Sequence, residues 1–248
     1  MIKKYNTRNL NKISRFGVEK FINCPKCFYY QYRHSIKAPY IPFSINIGID
    51  NLFKNEFDYY REKREPHPIF IKNNLDLVPF KHELMDKWRD NFKGIEYHFE
   101  DEDFIFGGAV DDVWVRPNGE LIIADMKATS SQNFYIDEIK QRHYFDGYVR
   151  QLEMYQWLFQ NNGFKVSNTG YILYANGRKN EPMFENHMKF DLELVPIPCD
   201  NSWVEEKVKE AVVTLRANTL PSNRSTCEQC GYLHKRYQNY LENQISSR

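Results

Sequence analysis

The chain has 248 residues, a net charge of +1 and a hydrophobic share of 42%. These values allow one sizeable core, and no linker rich in Gly, Pro or Ser interrupts the chain, so we expect a single domain over residues 1–248. The longest uncharged apolar runs are too short for a membrane span, which excludes a membrane-spanning helix. The N-terminal stretch MIKKYNTRNLNKISRF has no apolar signal-peptide core, and we therefore expect a cytoplasmic protein.

Helices are the main predicted elements in the first part of the chain. Ser14 can cap a helix that runs through Ile22. Apolar side chains at helical spacing predict two further helices, over residues 47–63 and 80–93. A meander of predicted strands follows, near residues 95–100, 104–115 and 120–127.

The second half of the chain alternates between helices and strands. A long amphipathic helix is predicted over residues 137–161, with Leu152 and Tyr155 among its apolar positions. Strands are expected near residues 169–175 and 186–197, and a helix extends from Ser202 to about residue 217. This order predicts an α/β (α+β) domain in which layers of helices cover a sheet.

The two signs of charge are separated along the chain. Residues 1–40 contain nine Lys or Arg against one acid, and residues 96–125 contain nine acids against one Arg. A basic segment can bind phosphates, whereas an acidic patch can bind a hard cation. Either segment alone fits a solvated surface equally well. Both together are typical of an enzyme that cuts a polyanion with a metal ion.

The segment over residues 107–131 predicts a β-hairpin that carries buried charge. Strand-forming Val and Ile residues flank a Pro-Asn-Gly turn. Asp111 precedes the turn and Asp125 follows it, so the hairpin makes them neighbours across the ladder. Asp125 and Lys127 are two residues apart and project from the same face. A buried charge is costly unless it is paired or binds a metal, and these residues therefore stand out.

Two carboxylates that converge on one point favour a divalent cation between them. Mg²⁺ accepts such oxygen ligands, and a bound metal ion can activate water and neutralise charge on a phosphate. A lysine beside it can stabilise negative charge as that charge develops. The alternative is structural: Asp111 and Asp112 would be edge-strand charges, and Lys127 would form a salt bridge with Asp125.

Three short elements follow one another in the chain: GAVD at residues 108–111, DMK at 125–127 and QLEMY at 151–155. Their order and spacing resemble the PD-(D/E)XK nuclease superfamily, specifically its RecB-like branch, which includes CRISPR-associated RecB-like exonucleases and the AddB nuclease domain. The resemblance implies a restriction-endonuclease-like core with a mixed central sheet flanked by helices. It places that core at residues 47–200, between chain ends at 1–46 and 201–248.

The same resemblance assigns roles to individual residues. It implies that Asp111, Asp125 and the backbone carbonyl of Met126 are metal ligands and that Lys127 is the catalytic lysine. It places Gln151 and Tyr155 on one helix face near the site, where they would contact DNA.

The family also takes a metal ligand from an early helix, and here the match is loose. Asp50 is our choice, with Glu56 as the second candidate; either is also consistent with a plain surface carboxylate. Asp112 stands where relatives often have a basic residue, so we do not count it as a ligand.

Four of the five cysteines form two Cys-x-x-Cys pairs, one near each end of the chain. Such pairs suit one soft metal held by four thiolates, and Cys199 is left over. The family resemblance implies a 4Fe–4S cluster, whereas the two-plus-two spacing also fits Zn²⁺. In either case the site would be structural and would join the two ends of the chain. The predicted ligands are Cys24, Cys27, Cys227 and Cys230.

Taken together, the sequence predicts a nuclease that uses Mg²⁺ or Mn²⁺ to hydrolyse DNA. The resemblance favours an exonuclease on single strands or ends, in DNA repair, recombination or spacer-type processing, with DNA and proteins of a repair or recombination complex as partners and no membrane contact. One alternative is a catalytically silent nucleic-acid-binding module of a repair complex. Another is a metal-stapled protein-interaction domain.

Overall fold

A computed structural model describes residues 11–39, 43–132 and 134–246, the last three of them without their side chains. The described residues form two compact units. The terminal unit contains residues 11–39, 99–106 and 205–246. The sheet unit contains the described residues between 40 and 98 and residues 107–204. The expectation of one domain over the whole chain stays a prediction.

The terminal unit is mainly helical. Ser14 ends a short strand and caps the first helix, because its hydroxyl accepts a hydrogen bond from the Gly17 N–H at 3.2 Å. The predicted helix from Ser14 is therefore confirmed. The Arg216 guanidinium donates to the carbonyl oxygens of Glu102 and Asp103, both at 2.8 Å, and so joins the last part of α8 to residues 99–106. The elements are β1 (Lys12–Ser14), α1 (Arg15–Asn23), α2 (Pro25–Arg33), α8 (Val204–Arg216) and α9 (Glu228–Ser246).

The sheet unit is built on a five-stranded mixed sheet in the order β2-β5-β6-β7-β8. Strands β6 and β7 are parallel, and the other neighbouring pairs are antiparallel. A parallel pair needs a crossover, and helices α6 and α7 supply it. The elements are α3 (Ser44–Lys63), α4 (Pro68–Lys72), β2 (Val78–Pro79), α5 (Met85–Arg89), β5 (Asp112–Val115), β6 (Leu121–Thr129), α6 (Ile136–Lys140), α7 (Phe145–Asn161), β7 (Thr169–Gly177) and β8 (Phe190–Pro198); β3 (Ile95–Phe99) and β4 (Phe104–Gly108) have residues in both units.

The two faces of the sheet are covered by different helices. Ile122 and Ala124 of β6 belong to an apolar cluster with Phe57 of α3. Because side chains alternate along a strand, Ile123 and Asp125 face the other way. There Asp125 receives a hydrogen bond from Gln151 of α7. The predicted fold class is thereby confirmed: this is a mixed α/β fold whose central sheet has a helix on each side.

Three predicted elements are interrupted in the structure. The helix predicted over residues 80–93 is present only as α5 (Met85–Arg89). Its predicted start is not helical, because the Phe80 N–H bonds to the Val113 carbonyl beside edge strand β2. The strand predicted over residues 104–115 is interrupted at Val110, because the Val110 N–H bonds to the Trp88 carbonyl of α5 and not to a neighbouring strand.

The helix predicted over residues 137–161 is divided by a turn into α6 and α7. The Phe145 N–H bonds to the Arg142 carbonyl at 2.8 Å, which is turn geometry. No proline or glycine marks this break in the sequence. No helix among the described residues has the length and apolar content needed to cross a membrane.

A buried ion pair joins α3 to the sheet. Arg61 of α3 pairs with Asp112 of β5, whose side chain is fully buried. Asp112 also accepts from its neighbour Val113 at 2.9 Å and from the Trp114 indole at 3.2 Å. With these partners the carboxylate satisfies its hydrogen-bonding capacity inside the core, so Asp112 is part of the scaffold.

We expect Asp112→Ala to lower the free energy of unfolding by about 3–5 kcal/mol, because it removes the fully buried partner of Arg61 and leaves that guanidinium only Asp58, whose side chain is 40% exposed. Urea unfolding measures this loss. The matched control is Glu62→Ala, also an ion-paired acid, whose side chain is 71% exposed in its pair with Lys81. That change should cost no more than about 1 kcal/mol. Equal small losses in both variants would contradict the structural role of Asp112.

Candidate functional site

The centre of the candidate site is the carboxylate of Asp125 on β6, which is only 1% exposed. Gln151 of α7 donates to its Oδ1 at 2.6 Å. The Lys127 ammonium forms an ion pair with its Oδ2. Lys127 lies two residues further along the strand and keeps 21% of its side chain exposed. The site therefore combines a buried carboxylate with a lysine that reaches the surface.

Asp111 lies in the connection between β4 and β5, next to β6. Its Oδ2 accepts a hydrogen bond from the Met126 N–H at 2.9 Å. This contact brings Asp111 beside Asp125, which precedes Met126 in the strand. Asp111 and Asp125, which the hairpin pattern predicted to be neighbours, therefore lie side by side in the structure.

The electrostatics of the site follow from burial and from the two like charges. Burial raises the pKa of Asp125, the charge of Asp111 raises it further, and Lys127 opposes both, which leaves the pKa of Asp125 at about 7. Burial disfavours the ammonium of Lys127, but Asp125 and Asp111 outweigh this effect and raise the pKa of Lys127. The site holds more negative charge than one ammonium balances.

Tyr155 holds the chain segment that leads to Asp111. Its hydroxyl donates to the Ala109 carbonyl. Gln151, one helical turn earlier on α7, holds Asp125. The two residues thus anchor the two carboxylates from one helix face. Their predicted contact with DNA stays a prediction.

Asp50 and Glu56, the two candidates from the early helix, lie in different surroundings. Asp50 lines a cavity of about 250 Å³ together with Met126, Lys127 and other residues, and its carboxylate pairs with Lys54 at 2.8 Å. Glu56 instead contacts His67 at 3.1 Å and is half exposed. Of the two, Asp50 is the one that shares a cavity with Lys127.

Two tyrosines near the site, Tyr148 and Tyr174, were not predicted from the sequence as site residues. The Lys127 ammonium lies 4.9 Å from the ring centroid of Tyr148. Tyr148 is three residues before Gln151 on α7, so helical spacing could have found it. Tyr174 is the β7 partner of Lys127, and its buried hydroxyl has no hydrogen-bond partner among the described residues. Only the parallel pairing of β6 and β7 reveals Tyr174.

The terminal unit holds a second candidate metal site. The ligand atoms of Cys24, Cys27, Cys227 and Cys230 all lie within 4.8 Å of one another. The sulfur of Cys27 is 3.7 Å from that of Cys227 and 3.5 Å from that of Cys230. Cys199 belongs to the sheet unit and is not in this group. The predicted division of the cysteines into four and one is confirmed.

The four cysteines lie at or near the starts of two helices, α2 and α9. Cys24 precedes α2, and Cys227 precedes α9. Burial alone would raise the pKa of Cys24, but hydrogen bonds from the backbone at Cys27 and Arg224 outweigh it and lower the pKa of Cys24 to about 7. A lowered thiol pKa favours the thiolate that a soft metal binds. Four cysteine sulfurs this close together suit either zinc or an iron–sulfur cluster.

Comparison with known families agrees with this geometry. The sequence model of the PD-(D/E)XK nuclease superfamily matches residues 49–234. The chain belongs to the PD-(D/E)XK nuclease superfamily. This PD-(D/E)XK chain has no match among curated proteins. A solved structure, described as the crystal structure of SSO0001, is 13% identical, with a TM-score of 0.36 over 87% of this chain and 82% of that one.

Membership in the PD-(D/E)XK nuclease superfamily indicates a metal-dependent nuclease, and the residues present fit a divalent cation. Asp125 Oδ2 is buried, and the Lys127 ammonium is the group that balances its charge. Asp111 adds a second carboxylate beside it. Buried carboxylate oxygens in excess of their partners are the donor set that hard cations such as Mg²⁺ prefer.

We expect Cys27→Ser to reduce the metal content of the purified PD-(D/E)XK protein and to lower its thermal stability. The reason is that a structural metal contributes its binding free energy to folding. Elemental analysis for iron and zinc, with an absorption spectrum, measures the first effect, and a melting curve measures the second. Cys199→Ser is the matched control and should leave both unchanged. Metal-free wild-type protein of full stability would contradict this prediction.

Proposed function

We propose that this chain is a Mg²⁺- or Mn²⁺-dependent deoxyribonuclease of the RecB-like branch, acting as an exonuclease on single strands or ends. The observation that carries the proposal is the buried Asp125 carboxylate beside Asp111. The partly exposed Lys127 ammonium is paired with that carboxylate. Superfamily membership supports hydrolysis of a nucleic acid. The choice of DNA and of the RecB-like branch is supported by the motif resemblance, as is a role in repair, recombination or spacer-type processing together with partner proteins.

The residues of the site have distinct parts in the proposed reaction. Asp111 and Asp125 would hold the cation, with the Met126 carbonyl as a third ligand and Asp50 as the candidate from α3. When bound, a divalent cation supplies an activated water and neutralises phosphate charge. Gln151 keeps the Asp125 carboxylate in one orientation through its 2.6 Å hydrogen bond.

Lys127 would be the group that meets the substrate. Its ammonium stays charged because both carboxylates raise its pKa against the effect of burial. Its side chain also reaches the cavity that Asp50 and Tyr148 line. A charged donor at such a position stabilises the negative charge that develops on a phosphate oxygen or orients the attacking water.

The four-cysteine site is proposed to carry a 4Fe–4S cluster, with Zn²⁺ as the alternative. The resemblance to RecB-like relatives favours the cluster, whereas the two-plus-two arrangement of thiols fits zinc equally well. A brown protein that contains iron would identify the cluster. A colourless protein with bound zinc would identify the alternative.

The first test of the nuclease proposal is cleavage of labelled single-stranded and double-stranded DNA, with RNA as the comparison substrate. We expect cleavage with Mg²⁺ or Mn²⁺ and none with EDTA. Shortening from an end would indicate an exonuclease, and internal cuts an endonuclease. A wild-type protein inert on every substrate that still binds single strands would instead support the silent nucleic-acid-binding module.

We expect Asp125→Asn to abolish cleavage, because it removes a charge that holds the cation while keeping the shape of the side chain. Lys127→Ala should lower the cleavage rate by about 10²–10³, since one donor to a developing charge is lost. Single-turnover cleavage measures both effects, and calorimetric titration with Mn²⁺ should detect binding to the Lys127 variant only. Matched surface controls, which should cleave normally, are Asp191→Asn and Lys81→Ala.

The same variants separate catalysis from a structural salt bridge. If Asp125 and Lys127 served only the fold, each change should lower the free energy of unfolding by about 3–5 kcal/mol. We expect near-wild-type stability for Asp125→Asn, because removing one of two repelling carboxylates relieves strain. Large stability losses, with no metal-dependent activity in the wild type, would falsify the proposal.

A further inference from the structure

The terminal unit contains a cavity of about 820 Å³ that has no part in the nuclease site described above. Residues of α1, α2 and α9 line most of it, and Cys27 and Cys230 lie at its wall. The cavity therefore adjoins the four-cysteine site, and two of the four cysteines line it. Such a volume is large enough for a small organic ligand or one residue of a polymer.

The charge of the lining favours an anion. Lys20 of α1 and Lys26 of α2 both line the cavity, together with His234 of α9. The lining contains no aspartate or glutamate. Neither lysine forms an ion pair with another described residue. Two lysines without a carboxylate partner, on adjacent helices, make a site for a phosphate group.

Aromatic side chains lie on the same wall. Tyr30 of α2 and Tyr237 of α9 line the cavity, and Tyr237 is 61% exposed. An exposed aromatic ring offers a flat face on which a nucleic-acid base can stack, whatever the base. Amide groups of Asn223 and Gln229 also line the cavity and can hydrogen-bond to base edges.

We infer that this cavity binds one nucleotide of a single-stranded nucleic acid, with its phosphate at Lys20 and Lys26 and its base against Tyr237. The combination carries the inference: lysines alone would fit any anion, and a tyrosine alone would fit any apolar surface. This site goes beyond the proposed nuclease function, because it lies in the terminal unit and requires no cleavage. It takes DNA or RNA, since phosphate and base are common to both.

The test is fluorescence anisotropy of a short labelled oligothymidine with the full-length protein in EDTA, where no cleavage occurs. Tyr237→Ala should weaken binding at least about fivefold, because stacking on one aromatic side chain contributes about 1–3 kcal/mol. Tyr237→Phe should bind like the wild type, since it keeps the ring. The matched control is Tyr240→Ala, an exposed tyrosine of the same helix outside the cavity.

The phosphate contact has its own readout. Lys20→Ala should reduce the dependence of log Kd on log salt concentration by about 0.7, the value for one phosphate contact on a single strand. Lys235→Ala, on α9 but outside the cavity lining, should leave that slope unchanged. Melting curves and metal content of every variant should equal those of the wild type, which shows that the cysteine site is intact.

Several results would overturn the inference. One is wild-type affinity in Tyr237→Ala; another is an equal loss in the Tyr240 and Lys235 controls, which would mean diffuse attraction without a site. Displacement of the oligonucleotide by an acidic peptide, but not by excess unlabelled oligouridine, would assign the cavity to a protein partner. Because binding is measured in EDTA, a protein that cleaves nothing can still bind the oligonucleotide at this cavity, and an active nuclease can lack this binding. The two proposals can therefore fail independently.

Discussion

The sheet unit depends on one costly interaction: an ionisable carboxylate, that of Asp125, buried in a central strand. Removing a carboxylate from water is unfavourable unless charge and hydrogen bonds compensate for it. Here Gln151 and Lys127 compensate for it in part, while Asp111 beside it adds repulsion and raises the pKa of Asp125. A fold that served stability alone would gain from an apolar side chain at this position. The remaining electrostatic cost is consistent with a site that completes its charge balance by binding a cation.

The contrast between Asp111 and Asp112 shows that two neighbours in sequence can have opposite roles. Asp112 is paired in the core with Arg61 of α3 and accepts a hydrogen bond from the indole of Trp114 in its own strand, β5. Asp111 accepts a hydrogen bond from the backbone N–H of Met126. The first carboxylate has its full set of protein partners, whereas the second adds unbalanced charge. The difference lies in the partners each residue meets, since the side chains are chemically the same.

The terminal unit is organised by a different constraint. Its two pairs of thiols lie about 200 residues apart in the chain, with sulfur atoms as close as 3.5 Å. Bringing such distant segments together costs loop-closure entropy, which a shared metal would offset. The same helices leave lysine and tyrosine side chains around a cavity beside the thiols. A single arrangement of helices thus serves both a structural site and the proposed nucleotide site.

Sequence and tertiary structure contributed different parts of this description. By itself the sequence determined the mixed α/β class, the hairpin that makes Asp111 and Asp125 neighbours, and the pairing of the four cysteines, because each depends on local periodicity or on short fixed spacings. It did not predict the break between α6 and α7, where no proline or glycine marks the turn. Only the tertiary structure decided that Asp112 is neutralised by Arg61 and that Tyr174 lies opposite Lys127. These contacts join residues about 50 positions apart in the chain, and helix packing and strand register set such contacts, which local spacing does not encode.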